Sequence, residues 1–257
     1  MFKKDDKTLM GGKDERFWTT CWTNIRSLET LDEKKRTEIV NNFIQKYWKP
    51  VYCFLRQKGC TNETAKDLTQ GFFCEIVLGK NLLVQADEHK GKFRTFLIRA
   101  LQNYCINVKR DENTQKKSPA GQLLSLDTEG TGDLLEGQSS LSPDDMFNYT
   151  WALNLIEEVI EESKTECLET HKERHWQLFE QKVLKPILDS SDAPSNKLLC
   201  EQYGIEDETK VSNMILTVKR RFQKILYRTL GTLVDSEDQI EKEYAHLCKI
   251  LTKSGAR

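Results

Sequence analysis

The chain has 257 residues, a formal net charge of -1 and a mean hydropathy of -0.62. No apolar run approaches the roughly 20 residues that a membrane-spanning helix needs, which excludes a transmembrane protein of the helical type. The opening stretch MFKKDDKTLMGGKDER also lacks the apolar centre of a signal peptide, so we expect a soluble, cytoplasmic protein with no membrane partner.

The small net charge hides a segregated distribution of charged residues. Lysine and arginine are concentrated in residues 90–117 and 210–228, whereas aspartate and glutamate are concentrated in residues 127–169 and 235–243. Separate blocks of this kind indicate a polyanionic partner. The eight cysteines are scattered and form no C-x-x-C pair, which is typical of reduced thiols in a cytoplasm.

Helical periodicity dominates the chain, and strand-like alternation is absent. It runs from residue 17 to residue 110, gives way to a stretch rich in Gly, Ser, Pro and Asp, and resumes at residue 151. We therefore predict an all-α fold of two helical domains joined by a flexible acidic linker. The predicted divisions are a flexible N-terminus at 1–15, a first domain at 16–112, the linker at 113–147, a second domain at 148–232 and a C-terminal helical extension at 233–257.

The stretch TNETAKDLTQGFFCEIVLGKN predicts a helix that begins at Thr61 or Asn62, either of which can cap it. Its predicted buried stripe consists of Ala65, Leu68, Phe72, Phe73 and Ile76. The opposite side carries Asp67, Gln70, Cys74 and Leu78. A carboxylate, an amide and small apolar groups in one strip suit the docking of a partner helix, although an ordinary solvated face gives the same pattern.

The stretch GKFRTFLIRALQNYCINVKR predicts a second amphipathic helix. Its predicted buried stripe consists of Phe93, Phe96, Leu97, Ala100, Leu101, Tyr104, Cys105 and Val108. The opposite strip carries Thr95, Arg99, Gln102, Ile106, Lys109 and Arg110, with Ile98 and Asn103 at its margins. Cations and amides interleaved with apolar groups suit a surface that grips phosphates and offers apolar contacts to bases; a mixed face in contact with solvent is the alternative.

The stretch SNKLLCEQYGIEDETKVSNMILTVKRRFQKIL has the outline of a helix-turn-helix. Gly204 allows the left-handed backbone of the turn, Ile205 fills the space between the helices, and the second helix begins near Asp207. The predicted outward face consists of Lys210, Asn213, Thr217, Arg220, Arg221 and Lys224. Such a face can enter a major groove, and a solvated basic helix is the alternative.

Three potential zinc ligands, Cys167, His171 and His175, recur every four residues and would share one helix face. A structural zinc site needs a fourth ligand, which the sequence does not supply, so we expect no metal here. The chain also contains no P-loop, no G-x-S-x-G elbow and no H-E-x-x-H motif. We therefore predict neither a catalytic site nor a cofactor.

Over nearly its whole length the chain resembles the extracytoplasmic-function sigma factors, and within them a subgroup common in planctomycetes. The resemblance depends on the order and spacing of motifs in both predicted domains. These motifs are FWTTCW, YWKPVYCFLRQKGC, AKDLTQGFF, GKFRTFLIRALQNYCINVKR, WALNLIEEVI, the helix-turn-helix with VKRRFQKIL, and the closing TLVDSEDQIEKEYAHLCKIL. One departure is Gly71, which stands where members of the family usually have an acidic residue.

The resemblance implies a dissociable, non-enzymatic subunit that directs bacterial RNA polymerase core to promoters and assists promoter melting. It implies that the clamp coiled coil of the largest polymerase subunit binds Asp67, Gln70, Cys74 and Leu78. It implies that the minus-ten element and melted DNA bind Arg94, Arg99, Gln102, Asn103, Ile106, Lys109 and Arg110. It implies that duplex promoter DNA binds Lys210, Asn213, Thr217, Arg220, Arg221 and Lys224. The family also allows an anti-sigma or other regulatory protein as a partner.

Two other hypotheses stay open at this point. The first is a helix-turn-helix DNA-binding transcriptional regulator that acts without polymerase core. The second is a metal-dependent hydrolase built around His171 and His175.

Overall fold

A computed structural model of the chain describes residues 32–79, 82–83, 92–115, 141–234 and 237–255. These residues form helices, turns and short connections without a β-strand, so the predicted all-α class is confirmed for this part of the chain. The elements in chain order are α1 (Glu33–Gln57), α2 (Asn62–Gly71), the π-helix π1 (Phe72–Gly79), α3 (Phe93–Gln115), α4 (Pro143–Glu169), α5 (Glu173–Phe179), the π-helix π2 (Glu180–Leu184), α6 (Lys185–Asp189), α7 (Asn196–Tyr203), α8 (Glu208–Gly231) and α9 (Glu237–Gly255). None of these helices combines the length and the apolar character that crossing a membrane requires.

The chain divides into two compact units. The first consists of Met1–Leu153 together with Ala245–Arg257, and the second consists of Asn154–Tyr244. Both divisions fall inside helices, one within α4 and the other within α9. The last turns of α9 therefore belong to the first unit.

Aromatic rings fill the core of the first unit, and helical spacing accounts for their position. On α1, Phe43 and Tyr47 lie one turn apart, and their ring centroids are separated by 4.8 Å. The ring of Phe93, at the start of α3, lies 5.5 Å from Phe43, and the ring of Phe73 lies 6.2 Å from it. Because each aromatic pair contributes about 0.5–1.5 kcal/mol beyond the area it buries, this cluster holds α1, π1 and α3 together.

The predicted linker is too long at both of its ends. Residues 113–115 continue helix α3, and residues 143–147 form the first turn and a half of α4. Residues 116–140 of the predicted linker lie outside the described residues.

The start of α4 is helical because its residues cap it and anchor it. The hydroxyl of Ser142 accepts a hydrogen bond from the backbone N–H of Asp145 at 3.1 Å, and Pro143 occupies the first helical position, where its missing N–H is not needed. Met146 and Phe147 are buried directly afterwards. A capped helix with two buried apolar residues in its first turns belongs to the core of the unit, despite its loop-like composition.

Gly71 allows helices α2 and α3 to approach each other closely. A Cβ atom at this position would lie 2.3 Å from the Oη atom of Tyr104 and 3.4 Å from its Cζ atom. The Tyr104 side chain is buried, and burial, followed by the nearby Glu75 carboxylate, raises the pKa of its phenol. An acidic residue at position 71, which the family resemblance would favour, has no room beside this ring.

The second unit has a separate core of apolar residues from α4, α5, α7 and α8. Its largest side chain, Trp176, has its ring centroid 5.6 Å from that of Phe179. The first turns of α9 pack on α8 within this unit, where the rings of Tyr227 and Tyr244 lie 5.4 Å apart. The core members are Cys167, Trp176, Leu178, Phe179, Leu199, Ile205, Val211, Ile215 and Val218.

Replacement of Gly71 by alanine tests the close contact with Tyr104. In the wild-type background we expect Gly71→Ala to lower the free energy of unfolding by about 1–3 kcal/mol, because the new methyl group overlaps the phenolic oxygen. In a Tyr104→Phe background the clashing oxygen is gone, and the same change should stabilise the helix by up to about 1 kcal/mol, as alanine normally does relative to glycine. Urea denaturation of the four proteins measures both values. Equal effects in the two backgrounds would contradict the contact.

Candidate nucleic-acid interface

Helix α3 presents a mixed basic and apolar strip because its other face is fixed in the core of the first unit. Leu97 and Leu101 are completely buried, and Tyr104 and Cys105 are buried beside them. The strip opposite them, here called the α3 strip, is exposed. It consists of Arg99, Asn103, Ile106, Lys109 and Arg110.

Ile106 is unusual among the apolar residues of the first unit, because 62% of its surface is exposed. It lies three residues before Lys109 and four before Arg110, and it follows Asn103 by three residues, so helical geometry places all four on neighbouring positions. Exposure of this apolar side chain to water is unfavourable, whereas contact with a base or another apolar group would remove it from solvent. The strip therefore combines cations, an amide and one apolar contact.

Gln102 lies at the margin of the α3 strip and is already engaged within the unit. Its Nε2 atom donates a hydrogen bond to Oδ1 of Asp144 at 3.1 Å, which ties α3 to the start of α4. The predicted site residue is thus half-buried and shared with a carboxylate, rather than fully available to a partner.

Arg94, which the sequence predicts to contact DNA, lies in the core of the first unit. Only 6% of this residue is exposed, and its guanidinium carbon lies 3.5 Å from the centroid of the Trp151 ring. A buried guanidinium over a tryptophan face is a strong cation–π arrangement, so the function of Arg94 is to join α3 to α4 in the core. No local pattern predicts this contact, because Trp151 lies far from Arg94 along the chain.

The predicted docking face on α2 and π1 is exposed in its described part. Thr61 caps α2 by accepting a hydrogen bond from the backbone N–H of Thr64 at 3.2 Å, and Ala65 is buried on the core side. Asp67, Gln70 and Cys74 are exposed on the other side. The side chain of Leu78, also predicted for this face, lies outside the described residues.

Helices α7 and α8 form the predicted helix-turn-helix. Ser195 caps α7, Gly204 ends it with a φ of 62°, and Asp207 caps α8. Ile205 is buried in the turn, as the sequence predicts. A hydrogen bond of 2.9 Å from the Asn196 amide to the Ser212 hydroxyl joins the two helices. The buried Ile205 in the turn and the hydrogen bond at the start of α7 thus both stabilise the angle between the two helices.

The outward face of α8 carries most of the residues that the sequence predicts for it. Lys210, Asn213, Arg220 and Lys224 are exposed. Thr217 is half-buried, and its hydroxyl donates to the backbone oxygen of Asn213 at 2.8 Å. The Thr217 hydroxyl is thus engaged within its own helix. The exposed groups of the predicted face are therefore the Asn213 amide and three cations.

Arg221 departs from the predicted DNA-binding set. Its side chain is only 16% exposed, its Nε atom lies 3.5 Å from Oε2 of Glu166, and a guanidinium nitrogen donates to the Thr170 hydroxyl at 3.0 Å. Arg228, two turns later, lies 2.7 Å from the carboxylate of Glu162. These contacts fix α8 to α4 within the second unit, so Arg221 is a packing residue.

The three potential metal ligands do not come together. Cys167 is buried in the apolar core of the second unit, whereas His171 is exposed with a left-handed backbone at φ 54°. Burial lowers the pKa of His175, and the nearby Lys172 and Arg221 lower it further. Within the described ranges, no group of three or more His, Cys, Asp or Glu side chains is arranged to hold a metal ion.

Two features of the surface were not anticipated from the sequence. Asp144 lies at the margin of the α3 strip, where its carboxylate accepts the hydrogen bond from Gln102, and Lys253 of α9 lies 2.8 Å from the carboxylate of the next residue, Asp145. Ile187 and Leu188 of α6 are both 72% exposed. The SPDD stretch was a usable signal for the first feature, because it combines a helix cap with two carboxylates.

Comparison of the chain with protein-family models, with curated proteins and with solved structures found no match.

Two neighbouring arginines provide a matched test of the α8 geometry. We expect Arg221→Gln to lower the free energy of unfolding by about 1 kcal/mol, because it removes the contacts with Glu166 and Thr170. Arg220→Gln changes an exposed side chain and should leave the unfolding free energy within about 0.5 kcal/mol of the wild-type value. Urea denaturation measures both. Equal losses from the two variants would show that this description of the helix faces is wrong.

Proposed function

We propose that this chain is a sigma factor of the extracytoplasmic-function type, which directs bacterial RNA polymerase core to promoters and assists melting of the duplex. The observation that carries the proposal is the α3 strip. Exposed Arg99, Lys109 and Arg110 surround the exposed Ile106, on a helix whose other face is buried. This combination suits an anionic partner that also presents apolar surface.

Single-stranded DNA is the partner that fits the α3 strip best. The three cations can neutralise phosphates, the Asn103 amide can bond to the edge of an unstacked base, and Ile106 can pack against a base face. Unstacking a base costs a few kcal/mol, so capture of the separated strand shifts the duplex towards an open state without hydrolysis of a nucleotide. The proposed function is therefore binding, and the protein needs no catalytic group of its own.

Duplex DNA is the expected partner of helix α8. The amino-terminal part of the second helix in a helix-turn-helix contacts base edges in the major groove, where the Asn213 amide can bond to adenine. Lys210, Arg220 and Lys224 can contact phosphates on either side. A duplex reader and a single-strand binder on one chain match the two DNA states that a promoter passes through.

The exposed face of α2 and π1 is the proposed docking surface for polymerase core. Asp67 and Gln70 offer an acceptor and an amide, and Cys74 offers a small apolar surface. By family resemblance their partner is the clamp coiled coil of the largest polymerase subunit. Asp67 is the one charged residue of this predicted set, and Gly71, where the family usually has an acidic residue, packs against Tyr104 instead.

The alternative is a helix-turn-helix regulator that binds duplex DNA without polymerase. The well-capped pair α7 and α8 favours it, since this motif alone is sufficient for duplex binding. The α3 strip and the α2 face would have no function under this alternative. Duplex binding in the absence of core, together with no affinity for core, would support it.

Binding to core polymerase and run-off transcription test the proposal directly. We expect the wild-type chain to bind purified bacterial core and to raise initiation on a pool of genomic upstream fragments. Asp67→Ala should weaken core binding about tenfold, as loss of a central interface contact does. Arg99→Ala should leave core binding unchanged and lower initiation.

Asp192→Ala changes an exposed aspartate in the second unit, and this control variant should behave as wild type. A chain that neither binds core nor raises initiation would show that the proposal is wrong.

The contribution of Ile106 can be separated from that of the cations by salt dependence. We expect Ile106→Ala to weaken binding of a single-stranded oligonucleotide about fivefold at every salt concentration, because it removes apolar contact only. Arg99→Ala should instead lower the slope of log affinity against log salt by about 0.7, the value for one phosphate contact on a single strand. Ile187→Ala, which changes another exposed isoleucine, is the matched control. Fluorescence anisotropy measures all three. Equal affinity of the Ile106 and Ile187 variants would contradict an apolar contact with bases.

A further inference from the structure

The first turn of α4 carries two carboxylates, those of Asp144 and Asp145, here called the acidic edge. Oδ1 of Asp144 accepts the hydrogen bond from Gln102, so a carboxylate lies at the margin of the proposed path for the DNA strand. Asp145 follows it on the same first turn of α4. Two carboxylates at this place oppose an anionic strand, which makes the edge an unexpected component of a DNA-binding surface.

The acidic edge cannot move away from the α3 strip without disturbing the core. Met146 and Phe147, the next two residues, are buried, and the ring of Phe147 stacks 6.3 Å from that of Tyr47 on α1. The Ser142 hydroxyl also donates to the Asp145 carboxylate at 2.8 Å. The start of α4 is therefore held in position by packing and by its cap.

Lys253, in the last turn of α9, is placed to neutralise one of these carboxylates. Its Nζ atom lies 2.8 Å from Oδ2 of Asp145. The hydrogen bond from Lys253 lowers the pKa of the Asp145 carboxyl, and the bond from Ser142 adds to this effect. Asp145 is thus ionised at neutral pH and paired, in the described structure, with a cation that comes from the end of the chain.

We propose that the last turn of α9 regulates the affinity of the α3 strip for anionic single strands by neutralising Asp145 through Lys253. The inference rests on the proposed function, because it takes the α3 strip as the binding surface for the separated strand. While Lys253 is paired with Asp145, the acidic edge has one carboxylate that no cation of the described residues neutralises, that of Asp144. Displacement of the last turn exposes a second one and weakens binding.

The expected size of the effect follows from Coulomb's law. A unit charge about 10 Å from a phosphate changes affinity about twofold in water, and the effect disappears at high salt. The expected change in affinity is small, but its direction depends on which charge is removed. This direction distinguishes the electrostatic mechanism from a purely structural function of the ion pair.

Two single variants and their combination test the inference. The probe is a fluorescein-labelled oligo(dT) of about a dozen nucleotides, a length within the range that single-strand binding surfaces cover. We expect Lys253→Gln to weaken binding about twofold and Asp145→Asn to strengthen it about twofold, with the double variant near wild type. Lys253→Arg keeps the charge and should keep the affinity. Anisotropy titrations at about 0.05 M and about 0.5 M salt measure these differences, which should vanish at the higher concentration.

The controls distinguish the possible failures. Loss of the ion pair lowers stability in both single variants, so a purely structural function would shift their DNA affinities in the same direction. Shifts in the same direction, or none, would overturn the inference. Lys249→Gln removes a cation one turn earlier on α9 and should change affinity less than Lys253→Gln. Arg99→Ala tests the underlying function separately: if it too leaves oligo(dT) binding unchanged, the proposed function itself fails.

Discussion

Burial of one face of helix α3 determines which of its residues can reach a nucleic acid. Leu97 and Leu101 are completely enclosed, so rotation of the helix about its axis would expose them and bury charged groups. Burying an unpaired charge costs several kcal/mol, whereas exposing a leucine costs about 1.5–3 kcal/mol. Both costs hold Arg99, Ile106 and Arg110 towards solvent. Every DNA contact proposed for the first unit depends on that orientation.

The same packing gives apparently similar residues different functions. Arg94 and Arg99 lie on one helix, yet the first covers the Trp151 ring in the core and the second is exposed. Arg220 and Arg221 are neighbours, yet only the second is held by Glu166 and Thr170. A cation can reach a nucleic acid only when its side chain is exposed, so exposure is more informative than composition.

Much of the fold could be predicted from local patterns. The stripe of α3, the caps at Thr61 and Asp207 and the left-handed Gly204 each depend on residues within a few positions of one another. The start of α4 was not predicted, because its SPDD cap lies in a stretch whose composition is otherwise typical of a loop. Contacts between residues that are far apart along the chain could not be predicted from sequence patterns either. Gln102 meets Asp144 across 42 positions, and Lys253 meets Asp145 across 108, so neither pairing leaves a periodic signal.

Site-specific photo-crosslinking from position 106 can show whether Ile106 contacts the separated DNA strand. This side chain is exposed, so a photoreactive residue can replace Ile106 without disturbing the core. In a complex of the chain, polymerase core and promoter DNA, we expect crosslinks to the unpaired strand of the melted region, and these should disappear when the duplex is prevented from opening. Crosslinks of equal yield to closed duplex, or a yield no higher than that from position 187, would contradict this expectation.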